Sequence, residues 1–117
     1  MRYFVSYARR DNGIERLREI RANLGNVGHV YVDDLECHGL EVDRVQVVVD
    51  ALVGADVFVA VQSVHYLTTE WTRWEYGFAL RGGMKVLALL SGGELVSRGD
   101  SRWPWQSGFP VTKESSF

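Results

Sequence analysis

Apolar residues recur along the chain in two alternating rhythms. Residues 2–7, Arg2-Tyr3-Phe4-Val5-Ser6-Tyr7, form a β-branched and aromatic run of strand length. The polar stretch 8–13 ends it with an Asp11-Asn12-Gly13 turn signal. Ile14, Leu17, Ile20, Arg21 and Leu24 then keep helical spacing up to Gly25, a C-terminal stop. Residues 28–33 predict a second strand, with a loop at 33–39 after it. Val42, Val45, Val49, Leu52 and Val53 predict a second helix, whose valines make it depend on packing rather than propensity. Residues 56–61 are almost wholly apolar, as in a strand covered on both faces. Residues 63–69 lead into a third helix, with Thr68 or Thr69 as cap and Glu70 in the first turn. Gly82-Gly83 stops that helix, and residues 84–90 predict a fourth buried strand. From Ser91 the periodicity fades into a Gly-, Ser- and Arg-rich segment, with residues 109–112 the place for a short fifth strand.

Strands alternating with helices imply a parallel sheet of four or five strands, covered by helices on both faces through right-handed crossovers. Residues 1–90 hold the core and 91–117 a C-terminal extension. In such sheets ligands sit beyond the carboxyl ends of the strands, where the loops at 7–13, 33–39 and 62–69 all emerge. A chain of 117 residues, 46% hydrophobic, suits one domain with a real core. A net charge of −2 and a pI near 5.9 give no electrostatic footprint for nucleic acid. The single cysteine, Cys37, cannot close an internal disulfide, which suits a reducing compartment. There is no apolar signal core at the N-terminus and no membrane-length apolar run, so a cytoplasmic location is expected.

The third helix carries the candidate chemistry. Trp71, Trp74, Phe78 and Ala79 fall at i, i+3, i+7 and i+8 as one apolar stripe, with Glu75 inside it. A buried, unpaired carboxylate costs several kcal/mol, so it needs compensation. A salt bridge to Arg73 or Arg81, a raised pKa, or a pocket that uses the charge would each supply it. Other motifs point elsewhere less strongly. No glycine fingerprint or P-loop follows the first strand, and the acidic cluster of a phospho-receiver domain is absent there. His29, His38 and His65 have no regular metal-ligand spacing with Cys37 or the acids, so no metal is expected. Ser63 and His65, two apart without a glycine elbow, read as a helix lead-in rather than a nucleophilic pair. Asp34 reads as a strand-end turn residue; for Asp33 a turn and a ribose- or cation-binding role stand level.

These residues resemble the Toll/interleukin-1 receptor (TIR) domain family. Phe4-Val5-Ser6-Tyr7 with Arg9 looks like its first box, and Val30-Tyr31-Val32-Asp33 with the loop through Gly39 like its second strand and second-box loop. Residues 51–61 resemble its helix-to-strand stretch. Tyr66-Leu67 and Trp71-Thr72-Arg73-Trp74-Glu75 resemble its tryptophan–three-residue–glutamate signature. The likeness covers about residues 1–90 and implies a flavodoxin-like three-layer α/β sandwich. In family members that cleave NAD this glutamate is catalytic. The resemblance therefore implies an NAD+ glycohydrolase with Glu75 as catalytic carboxylate and NAD as substrate rather than cofactor. It places Ser6, Tyr7, Arg9, Asp33, Leu35 and Trp71 on the substrate side, and implies self-association. Arg10 reads as solvated.

Two further readings accompany it. Trp74-Glu75-Tyr76-Gly77-Phe78-Ala79, followed by Gly83, Lys85 and Val86, is also similar to nucleoside 2-deoxyribosyltransferases and related nucleotide hydrolases. That likeness implies an N-glycosidase acting on a nucleoside or nucleotide such as CMP, with the same glutamate at a ribosyl C1′–nitrogen bond. The third reading is a non-catalytic TIR interaction module, with its surface at residues 33–43.

Overall fold

The computed structural model describes residues 1–26, 28–36 and 43–105. The expected strand at 109–112, Cys37 and the later part of the 33–39 loop lie outside them. The strands are β1 (Arg2–Ser6), β2 (His29–Tyr31), β3 (Val57–Val61), β4 (Lys85–Leu89) and β5 (Leu95–Ser97), and the helices α1 (Ile14–Gly25), α2 (Arg44–Val53) and α3 (Glu70–Arg81). They build one five-stranded sheet in the order β2-β1-β3-β4-β5. β1, β2, β3 and β4 run parallel and β5 pairs antiparallel with β4. This is the flavodoxin-like α/β architecture.

Alternation along the strands divides the core into two layers. Phe4, Phe58, Ala60, Val86 and Ala88 face Val48 and Leu52 of α2 and Tyr76 and Ala79 of α3. Val5, Val57, Val59, Val61 and Leu89 face Leu17, Ile20 and Leu24 of α1. Ser6 has the parity of Phe4 and so points to the α2/α3 side, which decides what it meets. On that side an aromatic row crosses the sheet. Tyr31 stacks on Phe4 at 5.4 Å, Phe4 on Phe58 at 5.8 Å, and Phe58 meets the edge of Tyr76 at 6.2 Å.

Three helix faces differ from the sequence expectation. In α1 Leu17, Ile20 and Leu24 are buried as predicted, but Ile14 is exposed. In α2 the buried pair is Val48 and Leu52, while Val45 and Val53 face outward. In α3 the sheet-facing residues are Thr72, Tyr76 and Ala79 together with Glu75. Trp71 and Trp74, assigned to a core stripe, are 41% and 36% exposed. They form instead an outward ladder, with Trp71 on Trp74 at 5.2 Å and Trp74 against Phe78 at 5.8 Å. Thr72 takes a core position because its hydroxyl donates to the Tyr66 carbonyl at 2.6 Å and so buries no unmet donor.

The glycines after Leu90 make a turn rather than a fading extension. Gly93 adopts φ 96°, open to glycine without strain, and Leu90 N–H donates to the Glu94 carbonyl at 2.8 Å. The chain thereby folds back, and Val96 joins the α2/α3 core with Trp105.

Candidate active site

The strand order reverses between β1 and β3, and the carboxyl ends of these strands diverge there into a crevice, the usual ligand position in open α/β sheets. A cleft of about 330 Å³ lies at that place. Tyr7 and Arg9 reach it from the β1 loop, Asp33 from the β2 end, and Trp71 and Glu75 from α3.

Glu75 is 4% exposed and forms part of the cleft wall. Neither Arg73 nor Arg81 compensates it; among the described residues it makes no ion pair. Its partner is Ser6, 69 positions earlier, whose Oγ–H donates to Oε1 at 2.7 Å. The Tyr66 O–H in turn donates to Ser6 Oγ at 2.9 Å. The result is a buried relay, Tyr66 to Ser6 to Glu75. Burial pushes the Glu75 carboxyl up to about 8, against the opposing pull of the Ser6 hydrogen bond and, less strongly, of the Trp71 side chain. Burial likewise raises the Tyr66 phenol, which therefore stays a donor.

The opposite rim is ionic. Asp33 Oδ1 accepts from the Tyr31 O–H at 2.6 Å, and Oδ2 accepts from Arg44 at 2.7 Å with Arg9 3.6 Å away. Arg9 Nε donates to Asp34 Oδ2 at 2.9 Å. The Asp34 backbone N–H donates to Tyr7 Oη at 2.9 Å, fixing the phenol at the cleft wall. Asp34 is thus in the strand-end turn expected of it, a single 3-10 turn at Asp33–Leu35. Arg44 is held beside the cleft because Asp43 caps α2, its carboxylate accepting from the Val45 and Gln46 N–H groups at 3.0 and 3.2 Å. The Arg9 and Arg44 side chains remain 66% and 49% exposed.

Of the residues singled out from the sequence, Tyr7, Arg9, Asp33, Trp71 and Glu75 come together around one cleft. Ser6 lies behind Glu75, fully buried, where it positions the carboxylate. Leu35 does not line the cleft; it packs on the α1-side core. Arg10 is exposed and also lies off it. Sequence reading missed Arg44, Val45 and Thr69, which line the cleft as well. The only signal for Arg44 was its place after a capping aspartate. Thr69 holds the cap position of α3, but its hydroxyl donates back to the His65 carbonyl at 2.6 Å. His65 is a lead-in residue tied to Asp11, Nδ1 to Oδ1 at 2.6 Å, joining the loops that follow β1 and β3.

A mostly parallel sheet with a carboxyl sunk at its switch point makes this an α/β domain whose strand ends open into a cleft. The TIR domain family profile matches residues 4–103, and the chain belongs to that family. A search of curated proteins finds no match to the chain.

Proposed function

We propose that this TIR domain hydrolyses NAD+ at the nicotinamide–ribose bond with Glu75 as the catalytic carboxylate. The observation that carries this reading is Glu75 itself, buried at the cleft wall without a cationic partner among the described residues and held by a serine hydroxyl. Among the described residues no arginine ties this carboxyl up; burial keeps it protonated below about pH 8, and its place in the cleft wall leaves it within reach of a ligand. As the C1′–N bond breaks, its electron pair goes to nicotinamide, which leaves as a neutral base, and positive charge gathers at C1′ and the ring oxygen. A fixed anion beside that centre, in a site of low dielectric, stabilises the charge strongly. Water then adds to C1′ and releases its proton. No general acid is required, which suits a site with one catalytic carboxyl. Support also comes from the chain's family, whose members include NAD-cleaving enzymes and self-associate.

The test is nicotinamide release from NAD+ at high protein concentration, so that any assembly can form. Wild type is expected to release nicotinamide and Glu75→Gln to release none. Equal turnover by both removes Glu75 from the chemistry. Cleavage of CMP or deoxynucleosides with NAD+ untouched selects the second glycosidase reading, and no turnover of any of these leaves an interaction module.

The pH dependence has a defined sign. The reactive form is the carboxylate, and the free protein's carboxyl titrates at about 8, so kcat/KM is expected to rise about tenfold per pH unit from 6 towards a plateau above 8. The bound pyridinium cation favours ionisation, so kcat titrates at lower pH than kcat/KM. A flat profile from pH 6 to 9 would contradict a carboxylate titrating there.

Ser6→Ala removes the strongest influence holding that pKa down and the hydroxyl that accepts from Tyr66. The kcat/KM midpoint is expected to move above 8, with a loss of roughly tenfold at pH 7 that shrinks as pH rises. A loss independent of pH would assign Ser6 a purely structural part.

A further inference from the structure

The two loops that diverge at the switch point are tied to each other. β1 leads into α1 on one face of the sheet and β3 into α3 on the other, yet Asp11 in the first loop and His65 in the second meet across 54 positions of chain. The His65 backbone N–H donates to Asp11 Oδ2 at 2.6 Å, and ring Nδ1 stands 2.6 Å from Oδ1. The Asp11 side chain is 13% exposed, so water competes little for either oxygen. Burial acts to raise its carboxyl, but hydrogen bonds, led by that of the His65 ring, hold it down to about 2. A carboxylate only accepts, so Nδ1 carries the ring proton and both bonds are charge-assisted.

Each partner belongs to a segment bonded within itself. Asp11 N–H donates to the Ala8 carbonyl at 3.0 Å, and the buried Asn12 side chain donates to the same carbonyl at 2.9 Å. Arg9 is therefore carried by a closed turn. The His65 carbonyl accepts the Thr69 O–H at 2.6 Å and the Thr69 and Thr68 N–H groups at 3.0 and 3.2 Å. The Thr69 carbonyl in turn accepts the Thr72 O–H at 2.9 Å. His65 thus holds the start of α3, from which Thr69, Trp71 and, further along, Glu75 reach the cleft.

We propose that Asp11 and His65 are a positioning pair for the cleft, a latch across the switch point that keeps the β1 loop with Arg9 and the start of α3 with Thr69 in fixed register. This rests on the hydrolase reading of Glu75 and adds to it two residues that stand outside the cleft lining and hold the residues that form it. Ser6 fixes the Glu75 carboxyl within its own wall, whereas the latch fixes one wall against the other. It thereby sets where the carboxyl stands relative to a C1′ bound from the opposite side, a distance on which the rate depends steeply.

The experiment compares wild type with His65→Ala and with His65→Asn, whose side-chain amide puts an N–H where Nδ1 stands. Nicotinamide release is followed over a range of NAD+ concentrations, and amide hydrogen exchange on the same proteins. His65→Ala is expected to lower kcat by about tenfold with KM changed less than about threefold, because each wall still binds its own part of the substrate. Exchange at Thr68 and Thr69 is expected to quicken by about tenfold. His65→Asn is expected to bring both back to within about threefold of wild type. Nitrogen chemical shifts of the wild-type His65 ring are expected to show the proton on Nδ1. An unchanged kcat in His65→Ala, an asparagine variant as poor as the alanine one, or a ring proton on Nε2 would each overturn the latch. Nicotinamide release by the wild-type protein is scored apart. Its absence removes the hydrolase, and exchange then decides the latch: quickening that asparagine reverses keeps it, and unchanged exchange removes it. Release by wild type with kcat and exchange unaltered in His65→Ala keeps the hydrolase and removes the latch.

Discussion

Replacing Glu75 with glutamine is expected to lower nicotinamide release on the order of 10³-fold or more while making the folded protein more stable in alkaline solution. The two effects have one origin. The folded carboxyl titrates at about 8 because burial disfavours its charge, whereas the ordinary value is 4.5. Between those values the folded chain holds a proton that the unfolded chain has released. The stability belonging to the neutral acid is complete below about pH 4.5 and is lost as pH rises through 8. At about 1.4 kcal/mol per pH unit, the ionised side chain costs the fold on the order of 3–5 kcal/mol by pH 9. Glutamine still accepts from Ser6 and carries no charge. Urea unfolding at pH 5 and pH 9 should give nearly equal stabilities for wild type and variant at the lower pH and a gain of several kcal/mol for the variant at the higher one. A variant weaker than wild type at both would make the carboxylate a structural element and end the catalytic assignment.

The second large effect lies in the core. Phe58 is fully buried between Phe4 and the edge of Tyr76, at the middle of the row that runs from β2 to α3. Phe58→Ala removes a ring that the close-packed sheet has no means of replacing, and a loss of about 3–5 kcal/mol is expected. A domain of this size has about 5–15 kcal/mol in total, so the melting temperature should fall by roughly 10–20 °C. Because Tyr76 packs on Phe58 and follows Glu75 directly in α3, the same change should loosen the carboxylate's seat. Thermal unfolding measures the first consequence, and a loss below about 1 kcal/mol would mean the row is not tightly packed.

The first four strands and their order of appearance were legible because β3 and β4 are apolar on both sides and β1 carries a β-branched and aromatic run of strand length, whereas β5 at Leu95–Ser97 was not assigned. Glu75 was legible as an anomaly, a charge among apolar neighbours. The face of α1 was legible in Leu17, Ile20 and Leu24, but those of α2 and α3 were not. In α2 valines stand on all sides, so no period singles out Val48 and Leu52 until the sheet is in place. In α3 the largest apolar side chains define a stripe, yet Thr72 and Tyr76 fill the sheet-facing positions, because Thr72 bonds the Tyr66 carbonyl and the Tyr76 ring packs on Phe58. The tryptophans are left outward, and burial preference alone assigns them to the wrong side. Ser6 and Glu75 are 69 positions apart, and the pairing of Arg44 with Asp33 spans 11 across a loop, distances over which local spacing carries no information. Ser6 was found through resemblance, and the shared parity with Phe4 explains it afterwards.

Trp105 gives the relay a practical boundary. Its ring lies on Tyr66 at 4.9 Å and meets Tyr76 edge-on at 6.4 Å, so it presses on both the origin of the hydrogen-bond chain and the residue after its end. The family match stops at residue 103, two positions short of it. A polypeptide ended at residue 103 would keep every strand and every residue that touches the cleft, yet uncover the Tyr66 ring and admit water behind Ser6. Solvent there would relieve the desolvation that sets the carboxyl's affinity for protons. The smallest working unit of this chain is therefore set by the core layer behind the cleft, on the α2/α3 side of the sheet, and it includes Trp105.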